Sequence, residues 1–568
     1  MAIIYNMDRP HAYGPNGAMS TSNSYGAQAG LAMLEDGGNA ADAVVAAGLV
    51  ACVVEPFHAG LGGGCFITYY DKASRKVHTF DARGVAPIKA HKDMFLNSDG
   101  DVDLEKQTYG GMSVITPGYL RGLEQLLTKY GTMTWEQVAA PAIKLGREGF
   151  RVGATYEICC NKEEAEYARS HFDGFESTFM PDGKIPLFGD LVYNRDMADT
   201  IEAVVRNGVD WFYNGPIADE IVSTINRYGG VYDKKDIQNT YVKERPCVRG
   251  TYRGYDIASI CPPSSGGTHL IQALNILENF DLNQLGYHSA DYIHVVAEAM
   301  KLMYADRSIA MGDPDFVDVK MDILTSKVYA KELASKIDMS RAQEFSPTSA
   351  VEALEKECAS NTLNTSCIDK FGNAVALTQT IGGWWGSGIV IPNRGFCLNN
   401  MMCDFAGKVG IKTCMGMSYN STANIVRPGA TPLSSMTPTI VLKDGDPIIA
   451  CGAAGGPRII TQVLQMIINV IDHDMRMDYA VRSPFINCLT LSQGLELEHG
   501  ISPDSMKILE ARGHHLHLCT PEQVLTEFPN GVEMHNGNMY VCEPARIDGV
   551  GGILTHSGGK VFFGYRYE

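Results

Sequence analysis

Asn361-Thr362-Leu363-Asn364-Thr365-Ser366-Cys367-Ile368-Asp369-Lys370-Phe371-Gly372-Asn373-Ala374-Val375 is the stretch on which the reading of this chain turns. A polar, helix-poor segment, Ser346 to Asn361, leads into it, and a β-rich run with period-two apolar positions follows. A hydroxyl residue at such a junction reads in one of two ways. It is a loop threonine ahead of a strand, or it is a latent N-terminal nucleophile. If the Asn361–Thr362 bond breaks, Thr362 gains a free α-amine beside its own hydroxyl. That amine titrates near about 7.7–8 and can act as general base at neutral pH. Thr362 alone does not decide between the two; the flanking motifs do.

The chain has 568 residues, more than one ordinary core holds, and length alone points to about two to four domains. A hydrophobic content of 45% describes a soluble globular protein. A net charge of −18, with no Lys/Arg-rich run, argues against nucleic acid as a partner, because binding phosphate needs a basic face. The N-terminus has no basic region followed by an apolar stretch, so no secretory signal is visible and a cytoplasmic location is expected. The longest apolar run, Ala40 to Val54 interrupted by Asp42, is too short to span a bilayer; it reads as a buried helix, and no membrane partner is expected. The 15 cysteines are odd in number and irregularly spaced, with an adjacent pair at Cys159-Cys160, which fits reduced thiols better than a disulfide framework.

Residues 17–54 read as a short strand and two Ala-rich helices broken at Gly37-Gly38. Strands are expected at Cys65–Tyr70, Lys76–Phe80 and Val248–Ile260, around a Gly-rich loop from Glu55 onward. Apolar spacing of i, i+3, i+4 predicts helices over Leu120–Tyr130, Trp135–Glu148, Arg195–Asn207, Ile217–Tyr228, Ser289–Ile309, Ser326–Ile337 and Ile459–Ile471. From Ser366 onward short strands are expected to dominate. Helices and strands alternate on both sides of Thr362, so a layered α/β architecture follows, not a string of modules.

Four segments carry the chemistry. The first is Pro56-Phe57-His58-Ala59-Gly60-Leu61-Gly62-Gly63-Gly64 with Asp81-Ala82-Arg83-Gly84-Val85-Ala86-Pro87. The second is the Thr362 stretch through Thr378-Gln379-Thr380. The third is Leu398-Asn399-Asn400-Met401-Met402-Cys403-Asp404-Phe405. The fourth is Pro432-Leu433-Ser434-Ser435-Met436-Thr437-Pro438-Thr439-Ile440, with Gly452-Ala453-Ala454-Gly455-Gly456-Pro457-Arg458 downstream. Taken singly, each has an ordinary explanation: a surface arginine, a turn, a strand cap. Together and in this order they resemble the γ-glutamyltranspeptidase family of N-terminal-nucleophile hydrolases. The resemblance covers nearly the whole chain, including Pro117-Gly118, Lys129-Tyr130-Gly131-Thr132-Met133 and Pro262-Pro263-Ser264-Ser265-Gly266-Gly267.

The resemblance implies a four-layer αββα sandwich and a proenzyme that cuts itself between Asn361 and Thr362. A large subunit (1–361) and a small one (362–568) then stay packed as partners. Thr362 matches the nucleophile, and Thr380 the second threonine that holds it. Gly455 and Gly456 match the oxyanion-hole pair, where glycine leaves the backbone N–H groups open to close approach. Arg83, Ser434 and Ser435 match the clamp on the substrate α-carboxylate, a guanidinium fork with hydroxyl donors. Asp404 matches the anion for the substrate α-ammonium. The implied donor is a γ-glutamyl or related acidic amide, the acceptor water or an amine, and no cofactor or metal is required.

Two positions depart from the family pattern. Gly382 stands where an Asn is usual, and Met401 where a Gln is usual; both family residues help hold the α-ammonium. An amidohydrolase acting on another small acidic amide is therefore an alternative, and an uncleaved ligand-binding protein is a second. Ala406 to Thr431 has the length of the loop that covers the pocket in many members, with Tyr419 as its candidate gate. Gly60–Gly64 lacks both a dinucleotide-binding pattern and a Walker lysine, so packing is the expected role. His514, His515 and His517 are a poor metal triad, because on a strand the last two share a face and the first points away. Trp384-Trp385 is expected to pack near the pocket mouth.

Overall fold

The computed structural model describes residues 12–345, 360–411, 413, 419–490, 492–520, 523, 528–541, 550–554 and 560–563. Two antiparallel sheets form the centre. In the eight-stranded sheet the order is Lys560–Phe563, Val550–Leu554, Gly17–Thr21, Ser360–Asp369, Ala374–Gly383, Gly64–Asp71, Lys76–Ala82 and Lys243–Arg245. The seven-stranded sheet runs Ala12–Gly14, Asn538–Val541, Asn530–His535, Asp446–Gly452, Thr439–Lys443, Tyr255–Ser259 and Val248–Tyr252. They face each other where Ser360–Asp369 and Ala374–Gly383 cross Asp446–Gly452, and Ala18, Tyr70, Ile368, Ile440 and Val532 fill the seam.

Helices cover both outer faces. Ala40–Val54 is buried at every residue, because it lies between the eight-stranded sheet and the helices Ser24–Glu35 and Trp135–Glu148. Asn39 and Asp42 start it with a reciprocal capping box. On the other face Gly266–Leu277 and Arg458–Ile471 pack on the seven-stranded sheet, with Ala290–Ala310 behind them. This is the αββα sandwich, with Thr362 inside a central strand.

The helices expected at Trp135–Glu148 and Arg195–Asn207 have those bounds, and the other five lie within a few residues of theirs. Val248–Ile260 is a hairpin turning at Arg253-Gly254, with Arg253 at φ 51°. One helix escaped the periodicity: Gly266–Leu277 is buried on all sides, its polar residues Thr268, His269, Gln272 and Asn275 included, so no exposed face marks it. Short strands follow Ser366 as expected, from Thr439–Lys443 to Lys560–Phe563, but only after the ten-residue strand Ala374–Gly383 and residues 384–438, whose regular structure among the described residues is one 3-10 turn, Met401–Asp404, and isolated bridges. Positive φ at Trp385, Gly386, Gly388, Asn393 and Gly395 interrupts the chain directly after the strand, because L residues there do not extend a ladder.

Candidate active site

Thr362 lies at an irregularity between two paired strands. Asn361 opposes Gly382 and Leu363 opposes Gln379, so Thr362 faces two residues, Thr380 and Ile381. This β-bulge turns the two threonines onto one carbonyl. The Thr362 hydroxyl donates to the Asn361 carbonyl oxygen at 2.7 Å, and the Thr380 hydroxyl donates to the same oxygen at 2.6 Å. Thr380 Oγ1 in turn accepts the Gly382 N–H at 2.8 Å. Thr380 thus grips the Asn361 carbonyl, where the resemblance implied a hold on the nucleophile itself.

The Phe57–His58 corner secures both sides of this peptide. The Phe57 carbonyl accepts the Asn361 side-chain amide at 3.2 Å, and His58 Nδ1 lies 3.3 Å from the Thr362 carbonyl. A carbonyl only accepts, so Nδ1 carries the proton. Burial pushes the His58 imidazole down to about 3, against a smaller opposite pull from the Thr362 carbonyl. The Gly-rich loop brings this corner in: a Cβ on Gly63 would lie 2.3 Å from the Thr380 carbonyl, and one on Gly64 2.1 Å from that of Arg83. Close packing is its role, as expected.

Arg83, Arg307, Asn361, Thr362, Thr380, Gly382, Asp404, Ser434, Ser435 and Gly456 line one cleft of about 380 Å³. Arg83 follows the strand Lys76–Ala82, donates to Ser434 Oγ at 3.1 Å and pairs with Asp404. Burial raises the Asp404 carboxyl above the ordinary carboxylate range, and Arg83 and then Arg307 pull it back. Ser434 is fixed by the Pro262–Ser265 loop, since Ser434 N–H donates to the Pro263 carbonyl at 2.9 Å and Ser265 Oγ donates to the Ser434 carbonyl at 2.7 Å. Gly455 and Gly456, at φ 116° and 58°, precede the helix Arg458–Ile471. Among the described residues neither N–H has an acceptor.

Other expectations fall in different places. Tyr419 does not line the cleft; its hydroxyl meets Arg307 Nη1 at 3.5 Å. Residues 412 and 414–418 of the expected covering loop lie outside the described residues. Met401 is buried with Phe405 and Val426, away from the cleft. Trp384 and Trp385 pack on Phe57, and Trp384 also on His58, but neither reaches the cleft mouth: Trp385 donates to the Cys159 carbonyl at 2.9 Å, and Trp384 sits under Lys162. His515 and His517 are exposed, while buried His514 bonds His294 at 2.8 Å beside Glu298. Lys301 pairs with Glu298 at 2.6 Å, which balances that carboxylate without an ion. Arg307 carries no sequence signal; it is one basic residue on the helix Ala290–Ala310.

A family model described as gamma-glutamyltranspeptidase matches residues 26–551. The chain belongs to the γ-glutamyltranspeptidase family. It is 40% identical over 502 residues to a glutathione hydrolase proenzyme of Escherichia coli (strain K12), covering 88% of this chain and 86% of that one. It is also 33% identical over 517 residues to an acylase ACY 1 proenzyme of Pseudomonas sp. (strain SE83), covering 90% and 89%. Among solved structures, the fold matches a cephalosporin acylase from Bacillus halodurans with a TM-score of 0.82 at 24% identity, over 97% of this chain and 98% of that one. A γ-glutamyltranspeptidase of Helicobacter pylori matches with a TM-score of 0.55 at 36% identity, over 59% of this chain and 97% of that one. No helix among the described residues is long and apolar enough to cross a membrane.

Proposed function

We propose that this γ-glutamyltranspeptidase-family chain is a self-processing γ-glutamyl transferase or hydrolase that acts on γ-glutamyl amides such as glutathione. The observation that carries the reading is the pair of hydroxyls, Thr362 and Thr380, on the carbonyl of the Asn361–Thr362 peptide, inside a cleft that also holds a carboxylate-binding set. In maturation the Thr362 hydroxyl oxygen attacks the Asn361 carbonyl carbon. Thr380 donates to the oxygen as it becomes an oxyanion. The C–N bond breaks, an ester forms, and water hydrolyses it to give subunits 1–361 and 362–568.

In turnover the freed Thr362 amine takes the proton of its own hydroxyl, whose oxygen attacks the donor amide carbon; the C–N bond then breaks, the amine leaves with that proton, and the acyl group stays on Thr362 as an ester. The Gly455 and Gly456 N–H groups receive the oxyanion. Arg83, Ser434 and Ser435 hold the donor carboxylate, and Asp404 takes an α-ammonium when one is present. Water or an amine acceptor then resolves the acyl-enzyme. A second reading, an acylase for another small acidic amide, is favoured by Gly382 and by the burial of Met401 away from the cleft.

N-terminal sequencing of the purified protein tests the first step. A small fragment beginning at Thr362 is expected, and Thr362→Ala is expected to remain one inactive chain while Thr362→Ser matures slowly. A fragment beginning elsewhere would falsify the assignment. A panel of glutathione, glutamine, a γ-glutamyl anilide and simple acidic amides then separates the two readings.

A further inference from the structure

Arg307 is 1% exposed and lines the same cleft as Thr362. Its hydrogen-bond partners are all neutral. Nε donates to Ser265 Oγ at 2.8 Å, Nη2 to Ser435 Oγ at 3.1 Å and Nη1 to the Tyr419 hydroxyl at 3.5 Å. The guanidinium carbon stands 5.5 Å from the centre of the Tyr419 ring. Among the described residues it makes no ion pair. Other sheltered arginines do: Arg83 has Asp404, Arg245 has Asp81, Asp313 and Asp315, and Arg458 has Glu496. Removing a guanidinium from water without a contacting counter-ion is costly, so one that faces a cleft with no carboxylate in ion-pair contact marks a place for an anion.

The two adjacent serines make the arrangement specific. Ser434 Oγ receives Arg83, and Ser435 Oγ receives Arg307 at the same 3.1 Å. Arg83 is already paired with Asp404, so the unspent positive charge of the cleft belongs to Arg307. We propose that Arg307 is a second guanidinium of the donor-carboxylate receptor, binding the carboxylate together with Ser435, and that the site takes small carboxylate-bearing acyl donors. This rests on the acyl-donor reading above. It adds a residue that contacts substrate.

The donor's charge decides between this role and mere support of the Ser265 loop. In the matured enzyme, kcat/KM is measured for a γ-glutamyl anilide and for its α-carboxamide. Arg307→Gln is expected to shrink the wild-type preference for the acid by about tenfold or more, mainly through KM. Arg307→Lys keeps the charge without the fork and recovers part of the preference. A structural role lowers both donors alike, and an unchanged acid-to-carboxamide ratio overturns the proposal. A second measurement needs no turnover: calorimetric titration of glutarate into the full-length Thr362→Ala chain, alone and combined with Arg307→Gln or Arg307→Lys. Binding at least about tenfold weaker with Arg307→Gln supports the site, and equal affinity removes it. If Arg307→Gln does not fold, the Arg307→Lys chain decides, with a several-fold loss expected and none refuting. A wild type that matures yet turns over no donor defeats the functional reading, while the glutarate titration still reports on Arg307.

Discussion

At the Asn361–Thr362 end of the cleft the hydrogen bonds around this peptide are neutral: two hydroxyls on one carbonyl, a backbone N–H on Thr380, and an imidazole that burial keeps uncharged. At the other end three charged side chains, Arg83, Arg307 and Asp404, share the space with two serine hydroxyls. The two ends are held differently. The neutral end lies in a strand bulge among buried, paired neighbours, so its chemistry depends on placement. The charged end is assembled from the irregular stretch 384–438, a strand terminus and, through Arg307, the helix Ala290–Ala310, so its contribution depends on charge and is graded. Loss of a group at the first end should act close to all-or-none. Loss at the second should change affinity and leave the chain able to mature.

Thr380→Val gives the largest expected effect. It keeps the shape of Thr380 and removes the hydroxyl on the Asn361 carbonyl. Losing one donor to a developing oxyanion typically costs about 10²–10³ in rate. Maturation followed on denaturing gels should slow by that order, and a wild-type time course would show that the 2.6 Å contact does not polarise the carbonyl.

Arg83→Ala probes the charged end. Maturation should be unaffected, while KM for α-carboxylate donors rises by roughly ten- to a hundredfold, the equivalent of about 1.5–3 kcal/mol. The upper part of the range is expected, because the substitution also strips Asp404 of its paired cation. Unchanged kinetics on a carboxylate donor would take Arg83 out of the receptor and leave Arg307 as its cation.

The same contrast explains what could be read without a structure. Thr362, Thr380, Arg83, Asp404 and the two serines were legible because each sits in a dense local motif, and the motifs occur in a fixed order. The amphipathic helices were legible from their period, and a β-rich run after Thr362 from its alternation, though not the ten-residue length of its strands. Arg307 was not, since it lies on a helix buried on nearly all sides and only the fold carries it to Ser435. Nor was the grip of His58 on Thr362, which depends on a corner 304 residues away in the chain. Met401 and Gly382 were visible as departures, but their consequence required geometry. Met401 faces apolar neighbours, and Gly382 stands at φ 101° with no room for a Cβ.

His58 allows the neutrality of the first end to be tested by pH. Its folded pKa, about 3, lies below the unfolded value of about 6.5, so the unfolded chain binds the proton first. The stability this imidazole allows is complete above pH ~6.5 and is lost as pH falls toward ~3. At pH 5 the loss from this group alone is about 2 kcal/mol, on the order of 1.36 kcal/mol per unit. Denaturant midpoints at pH 7 and pH 5 should therefore fall further for wild type than for His58→Gln. His269, also pushed to about 3 by burial, steepens both curves and cancels in the comparison. Equal slopes would mean that His58 is protonated, or solvated, in the folded protein.

The smallest expected effect concerns the α-ammonium. Asp404 is the acidic side chain lining the cleft among the described residues, and Arg83 already neutralises part of its charge. Gly382 offers no side chain, and Met401 is buried elsewhere. A shared carboxylate is placed at the low end of charge-assisted hydrogen bonds, about 1.5 kcal/mol, or roughly tenfold. The kcat/KM of a γ-glutamyl amide should thus exceed that of the matching glutaryl amide, which lacks the amine, by no more than about that factor. Reinstating the two family amides should not sharpen the preference. A Cβ at Gly382 would lie 2.0 Å from Asn400 Oδ1, which accepts the Gly383 N–H at 2.8 Å, so Gly382→Asn disturbs the strand that carries Thr380. Met401→Gln places its amide among apolar groups and should leave the ratio unchanged. If wild type rejects the glutaryl amide by several orders of magnitude, Asp404 is freed from Arg83 when donor binds, and the charged end is rearranged by its substrate to a degree the neutral end cannot be.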